Sequence, residues 1–106
     1  MIAQTPPPPY YAVIFSNTLR DHPEGYPDMA ERMEQLASQQ PGYLGFEHAR
    51  SELGISVSYW RDLASIQAWK QQADHLFAQE KGRADWYSAY QVRIARVERD
   101  YSFQHP

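Results

Sequence analysis

No cysteine occurs among the 106 residues. Disulfide staples and thiolate-bound metals are therefore excluded, and a reducing cytoplasm is the expected setting. Basic clusters are missing as well. Lys and Arg total 10 against 13 Asp and Glu, a formal net charge of -3, so a nucleic-acid partner is not expected. No apolar run approaches the roughly 20 residues that cross a bilayer. No charged stretch precedes an apolar one near Met1, so neither a membrane span nor a secretory signal is expected. Glycine-rich phosphate loops and the G-x-S-x-G motif do not occur, which leaves nucleotide and flavin binding without a motif. The four His, at positions 22, 48, 75 and 105, never fall at i, i+4 spacing. A metal needs three or four convergent ligands, so no metal and no bound cofactor is expected.

Rings are abundant instead: 8 Tyr, 4 Phe and 3 Trp. Such rings fill a small core or line an aromatic pocket. The length fits one domain, able to bury roughly two-thirds of its unfolded surface. Residues 1–9 read as a tail, because Pro6 to Pro9 cannot join a sheet ladder and favour an extended form. Residues 10–104 read as one domain.

The spacing of apolar residues alternates between strand and helix types. Tyr10 to Asn17 (YYAVIFSN) is apolar almost throughout and reads as a central strand. Tyr26, Met29, Met33, Leu36 and Ala37 form one helical stripe that Pro41-Gly42 ends. Tyr43 to Arg50 and Ile55 to Arg61 have hairpin spacing, joined through four residues, Ser51 to Gly54. Asp62 is placed to cap a second helix carrying Ile66, Trp69, Ala73, Leu76 and Phe77 on one side. Gly82 is placed to break this helix, with a turn over Ala84 to Tyr87. Tyr90 to Phe103 reads as a long last strand whose apolar phase switches after Ile94, as a bulge or an exchanged strand would cause.

The order strand, helix, strand, strand, helix, strand predicts an α+β fold: a ferredoxin-like βαββαβ subunit, one antiparallel sheet with both helices on one face. The bare face then needs a cover, which points to a homodimer. The space between helices and sheet is the expected place for chemistry.

The string Ser58-Tyr59-Trp60-Arg61-Asp62, then Ile66, Trp69-Lys70 and His75, then Gly82-Arg83, Trp86-Tyr87 and Tyr90, then Val97-Glu98-Arg99 and Tyr101 resembles the antibiotic biosynthesis monooxygenase family. The resemblance implies a dimeric α+β barrel in which two sheets meet face to face and C-terminal strands exchange. It also implies an oxygenase that binds an aromatic, polyketide-like substrate without a cofactor, deprotonates it and lets the carbanion meet O2. Other members bind and degrade haem. There an Asn on the first strand, a Trp on the second helix and a His about ten residues beyond that Trp act together. Here Asn17 and Trp69 match, position 79 is Gln, and the nearest His is His75.

Asn17, Trp69 and His75 are therefore the candidate catalytic residues. A side-chain amide at Asn17 suits an enolate oxygen, or it satisfies the turn after the strand. Trp69 lines the pocket or packs the core. His75 has a ring suited to proton transfer near neutral pH, although it sits at the border of the apolar stripe; His48 is next in line. Phe15, Phe46, Tyr59, Ala73 and Phe77 are the candidate lining of a substrate site. Trp60, Trp86 and Tyr87 are read as core or interface. Three functions follow: a cofactor-independent monooxygenase acting on a small aromatic or polycyclic substrate, a non-catalytic module for a small hydrophobic metabolite, and a haem protein.

Overall fold

The computed structural model describes residues 1–79 and 86–106. Six elements follow in chain order: β1 (Tyr10–Leu19), α1 (Tyr26–Ser38), β2 (Tyr43–Arg50), β3 (Gly54–Trp60), α2 (Leu63–Gln79) and β4 (Tyr87–Val97). All strand pairs are antiparallel, and the sheet order is β2-β3-β1-β4. This is the ferredoxin-like arrangement expected from the spacing. The apolar run of β1 is explained by its place between two strands.

Local chemistry sets the ends. Gly25 adopts φ 81° just ahead of α1, and a proline occupies the first turn, where its missing N–H costs nothing. After α1, Gly42 turns the chain at φ 85°. A Cβ there would lie 2.1 Å from the Ser65 hydroxyl oxygen, so only glycine lets this turn meet the start of α2. Asp62 accepts a 2.8 Å hydrogen bond from the Ser65 backbone N–H, which makes it the cap of α2. The Ser65 hydroxyl, that backbone bond and Arg61 pull its carboxyl down to about 2.

Register assigns each strand residue to a face. Tyr11, Val13, Phe15 and Asn17 of β1 share a face with Trp60, Ser58, Ser56 and Gly54 of β3. Tyr43, Phe46, His48 and Arg50 of β2 continue that face, as do Tyr90, Val92, Ile94 and Arg96 of β4. Both helices pack there, in two clusters. Ala37, Trp60 and Ile66 form one, with Tyr11, Val13, Tyr43 and Trp69 around them. Met29, Leu76 and Trp86 form the other, with Tyr26, Met33, Leu36, Phe77 and Tyr87. Trp60 is fully buried and donates its indole N–H to the Ser58 hydroxyl at 2.8 Å.

Two strand expectations are corrected. β4 begins at Tyr87, three residues earlier than the spacing suggested, and ends at Val97; Tyr101 and Phe103 lie beyond it, exposed. The phase switch is no bulge. Val92 and Ile94 face the helices while Ala95 and Val97 face away, with unbroken pairing from Ala89 to Val97. The strand carries apolar residues on both sides. The register shifts instead near Thr18, opposite the start of β4, and again at the start of β2. The expected break at Gly82 lies outside the described residues, as do Ala84 and Asp85 of the expected turn.

The face away from the helices carries Tyr10, Ala12, Ile14, Val57, Ile55, Tyr59, Gly45, Glu47, Ala95 and Val97. Part of it is covered by the chain's own N-terminal tail. The Ala3 backbone N–H donates to Glu47 Oε2 at 3.0 Å, and the Ala3 side chain lies where a Cβ on Gly45 would reach, at 2.9 Å. The Thr5 hydroxyl donates to the Tyr10 hydroxyl at 3.0 Å, and that hydroxyl donates in turn to Asp100. Tyr59, edge-on to Tyr10 at 5.8 Å, donates its hydroxyl to Glu47 Oε1 at 2.7 Å. One carboxylate thus ties the tail to the sheet.

The Tyr59 hydroxyl and the Ala3 N–H both favour ionised Glu47 and hold its carboxyl below its ordinary 4.5. The folded chain therefore binds this proton less readily than the unfolded chain. The stabilisation is complete above pH 4.5 and is lost as pH falls through the lower, folded value. Thermal melts between pH 6 and 3 (a span chosen around that ordinary 4.5) are expected to show a shallower acid-side decline for Glu47→Gln than for the parent chain.

Candidate functional site

The site is built where three strands end side by side. β1 places Asn17 opposite Gly54 of β3, and β2 places Arg50 opposite the same Gly54. All three residues face the helices. A Cβ on Gly54 would lie 2.2 Å from both Cζ and Nη2 of Arg50. The guanidinium therefore lies flat in space that any other residue would fill, and reaches across β3 to β1. There its Nη2 donates to Asn17 Oδ1. The same nitrogen donates to the Tyr26 hydroxyl at 3.1 Å, and Cζ stands 5.3 Å from the centre of the Tyr26 ring. Tyr26 is the first residue of α1, so the helix start, β1 and β2 all meet at one cation.

Asn17 is 4% exposed. Its carbonyl oxygen is turned to Arg50, which fixes the amide orientation and makes the opposite edge its donor edge. Arg50, on the edge strand, is exposed. One end of the pair is sheltered and the other open to solvent.

Rings continue from this point. Phe15, two residues before Asn17 on the same face, meets Tyr87 at 5.4 Å and 90° and Tyr90 at 5.5 Å. Tyr87 meets Tyr26 at 5.5 Å and Phe77 at 6.4 Å. Phe77 meets Trp86 at 5.9 Å, and the Trp86 indole N–H donates to the Glu24 carbonyl at 2.9 Å. These are the edge and tilted geometries that aromatic quadrupoles favour. They form a connected wall from the Asn17–Arg50 pair to the end of α2.

The structure brings together only some of the candidates. Asn17, Phe15 and Phe77 belong to this wall or its polar end. Trp69 stacks on Trp60 at 6.0 Å and 21°, in the other cluster, beside Tyr11 and Val13. Strands rise about 3.3 Å per residue, so Val13 and Asn17 are separated by roughly 13 Å along β1. Ala73 is half-buried and His75 exposed on α2. Phe46 shares the helix-facing side of β2, its ring 5.6 Å from the exposed His48. Tyr59 is on the opposite face, with Glu47 and Tyr10, so it does not line the space between helices and sheet.

Arg50, Gly54 and Tyr26 were missed by sequence reasoning. One signal was available: in a hairpin from Tyr43 to Trp60, the last residue of β2 faces the first of β3. A glycine in that position opposite a long cation leaves room for the cation. Among the described residues, no three His, Asp or Glu side chains converge as a metal site would need, and no helix is long and apolar enough to cross a membrane.

A βαββαβ sheet with both helices on one face is a fold seen in other proteins. The family model for antibiotic biosynthesis monooxygenases matches residues 9–81, and this chain belongs to that family. It is 48% identical over 105 residues to the uncharacterized protein YqjZ of Bacillus subtilis, across 97% of this chain and 92% of that protein. It is 29% identical over 85 residues to the jasmonate monooxygenase ABM of Pyricularia oryzae, across 80% of this chain but only 35% of that longer protein. Among solved structures, SnoaB, a cofactor-independent oxygenase from Streptomyces nogalater, matches with a TM-score of 0.71 at 14% identity, across 88% of this chain and 97% of that one. PA3566 of Pseudomonas aeruginosa matches at 0.66 and 17% identity, across 89% and 97%. The structural matches establish the shared fold.

The geometry predicts coupling between positions 50 and 54. Arg50→Ala leaves the buried Asn17 oxygen without its donor, at a cost of about 1–3 kcal/mol. Gly54→Ala drives the guanidinium away and is expected to destabilise the parent chain. In the Arg50→Ala background the same change is expected to be neutral or mildly stabilising, because alanine is favoured over glycine in a strand. Denaturant titration of the four proteins as a double-mutant cycle checks this.

Proposed function

We propose that this chain is a cofactor-independent oxygenase for a small aromatic or polycyclic substrate. The substrate lies against the ring wall of Phe15, Tyr26, Phe77 and Tyr87 with its carbonyl oxygen at Asn17. The observation that carries the reading is the buried Asn17 amide, held by Arg50 with its donor edge free of the guanidinium. A fixed, sheltered donor stabilises an oxyanion more than a mobile one in water, because it pays no reorganisation as charge develops. With an opposite charge close behind it, the enolate is favoured over the neutral substrate. Such a substrate loses its C–H proton to solvent. The carbanion passes one electron to O2, the substrate radical and superoxide join in a C–O bond, the resulting peroxide takes a proton from solvent, and loss of water from the hydroperoxide leaves a new carbonyl. Family membership and the oxygenase named among the similar folds support this reading.

The subunit is also proposed to work as a homodimer. The face away from the helices keeps Ile55 exposed on β3, and the residues after β4 extend with Tyr101 and Phe103 exposed. A second copy placed sheet to sheet, with the C-terminal segments exchanged, buries both. Light scattering at micromolar concentration is expected to give twice the mass of one chain; a single-chain mass removes this part of the proposal.

Oxygen uptake with anthrone- and quinol-type substrates tests the chemistry. Turnover is expected for the parent chain, and Asn17→Ala is expected to lower kcat by about 10²–10³, as loss of one oxyanion donor does elsewhere, with an unchanged far-UV circular dichroism spectrum. No uptake by the parent chain across such a panel rejects the reading. His75→Ala in the same assay tells whether that exposed ring moves a proton.

A further inference from the structure

We infer that Arg50 is an anion-binding subsite and that the natural ligand is an aromatic carboxylate. The inference rests on the proposed reading in one respect, that the ring wall is the substrate surface. Its own basis is the state of the guanidinium. Arg50 spends one nitrogen, Nη2, on two uncharged acceptors, Asn17 Oδ1 and the Tyr26 hydroxyl. Among the described residues no carboxylate pairs with it; the ion pairs are Arg61 with Asp62 and Lys70 with Asp74. The guanidinium therefore keeps its charge without a carboxylate partner among the described residues, with Nε and Nη1 left as donors, in a chain whose net charge is -3.

Exposed arginines are ordinarily loose, and ordering one costs side-chain entropy. This one is held by three constraints: the empty space above Gly54, the buried Asn17 oxygen and the Tyr26 ring. These contacts orient the guanidinium without a ligand, and such preorganisation is the condition under which a binding site gains affinity. With both Nη2 hydrogens engaged, the guanidinium offers Nη1 to one oxygen of a carboxylate as a single charge-assisted hydrogen bond. Beside it begins the apolar wall of Phe15, Tyr26 and Tyr87. A cation at one end of a ring-lined surface fits a ligand with a carboxylate at one end of a ring system. Neutral aromatics use the wall and the Asn17 amide and forgo the cation.

Paired probes of one shape test this: naphthoate and naphthamide, titrated against the full-length protein by calorimetry at low and high salt. The parent chain is expected to bind the carboxylate at least roughly tenfold more tightly than the amide, the size of one charge-assisted hydrogen bond, with the preference shrinking as salt rises. Arg50→Gln is expected to abolish the preference while leaving amide binding in place. Gly54→Ala keeps the arginine but displaces it, and is expected to cut the preference as well; Arg50→Lys, a point charge without the planar group that Asn17 and Tyr26 hold, retains part of it. Thermal melts of each variant verify folding. Equal binding of the two probes, binding of neither, or a preference that survives Arg50→Gln overturns the subsite. Carboxylate preference without any oxygen uptake leaves the subsite standing and rejects the oxygenase. Oxygen uptake from neutral substrates with equal binding of the two probes does the reverse.

Discussion

Hydrogen bonding of β1 on both of its edges is the constraint from which the rest follows. A strand paired on both sides cannot slip by one residue without turning its whole apolar set over. The two pairings of β1 agree at every position from Tyr11 to Asn17. Odd-numbered side chains meet the helices and even-numbered ones the opposite face. Trp60 reaches the core because it pairs with Tyr11, and Asn17 comes within reach of Arg50 because both pair with Gly54. Core and polar pair are two readings of one register.

That register also separates two kinds of packing along the same helix-facing surface. Around Trp60, rings stack tightly with small and branched residues, and the polar atoms there are satisfied within the chain. Around Asn17 the same surface becomes a chain of edge-on rings ending in a charge. Backbone geometry is alike in the two regions; composition differs. A long cation and an amide stand at the strand ends there, where aliphatic residues stand around Trp60.

Much of this was legible in the sequence. Helix and strand spacing placed α1, β2 and β3 within a residue or so of their observed ends, because each is bounded by a strong local signal: Gly25 and Pro27, Pro41-Gly42, Gly54 and Asp62. The last strand was harder. Apolar residues on both of its faces mimic a phase change, and periodicity cannot tell a two-sided strand from a bulged one. The candidate site was legible only in part. Asn17, expected through resemblance, is the buried partner of Arg50, and Phe15 and Phe77 lie on the ring wall beside it. Arg50 was not found, since its significance depends on a residue that is absent, the side chain of Gly54. Tyr59 was assigned to the wrong side of the sheet for the space it was thought to line, because alternation shows that two faces differ without saying which of them meets the helices.

The tail before β1 has a consequence of its own. A single subunit with a naked apolar sheet is sticky from the moment it leaves the ribosome. Here Ala3 and Thr5 lie over part of that surface, held by Glu47 and Tyr10, so the chain wears a partial cloak of its own. Purification handles fused ahead of Met1 load that cloak with extra mass and tug at its fastening, whereas handles placed after Pro106 pull on Asp100, the other clasp of the same tyrosine. Neither end of this small protein is an inert place to attach anything.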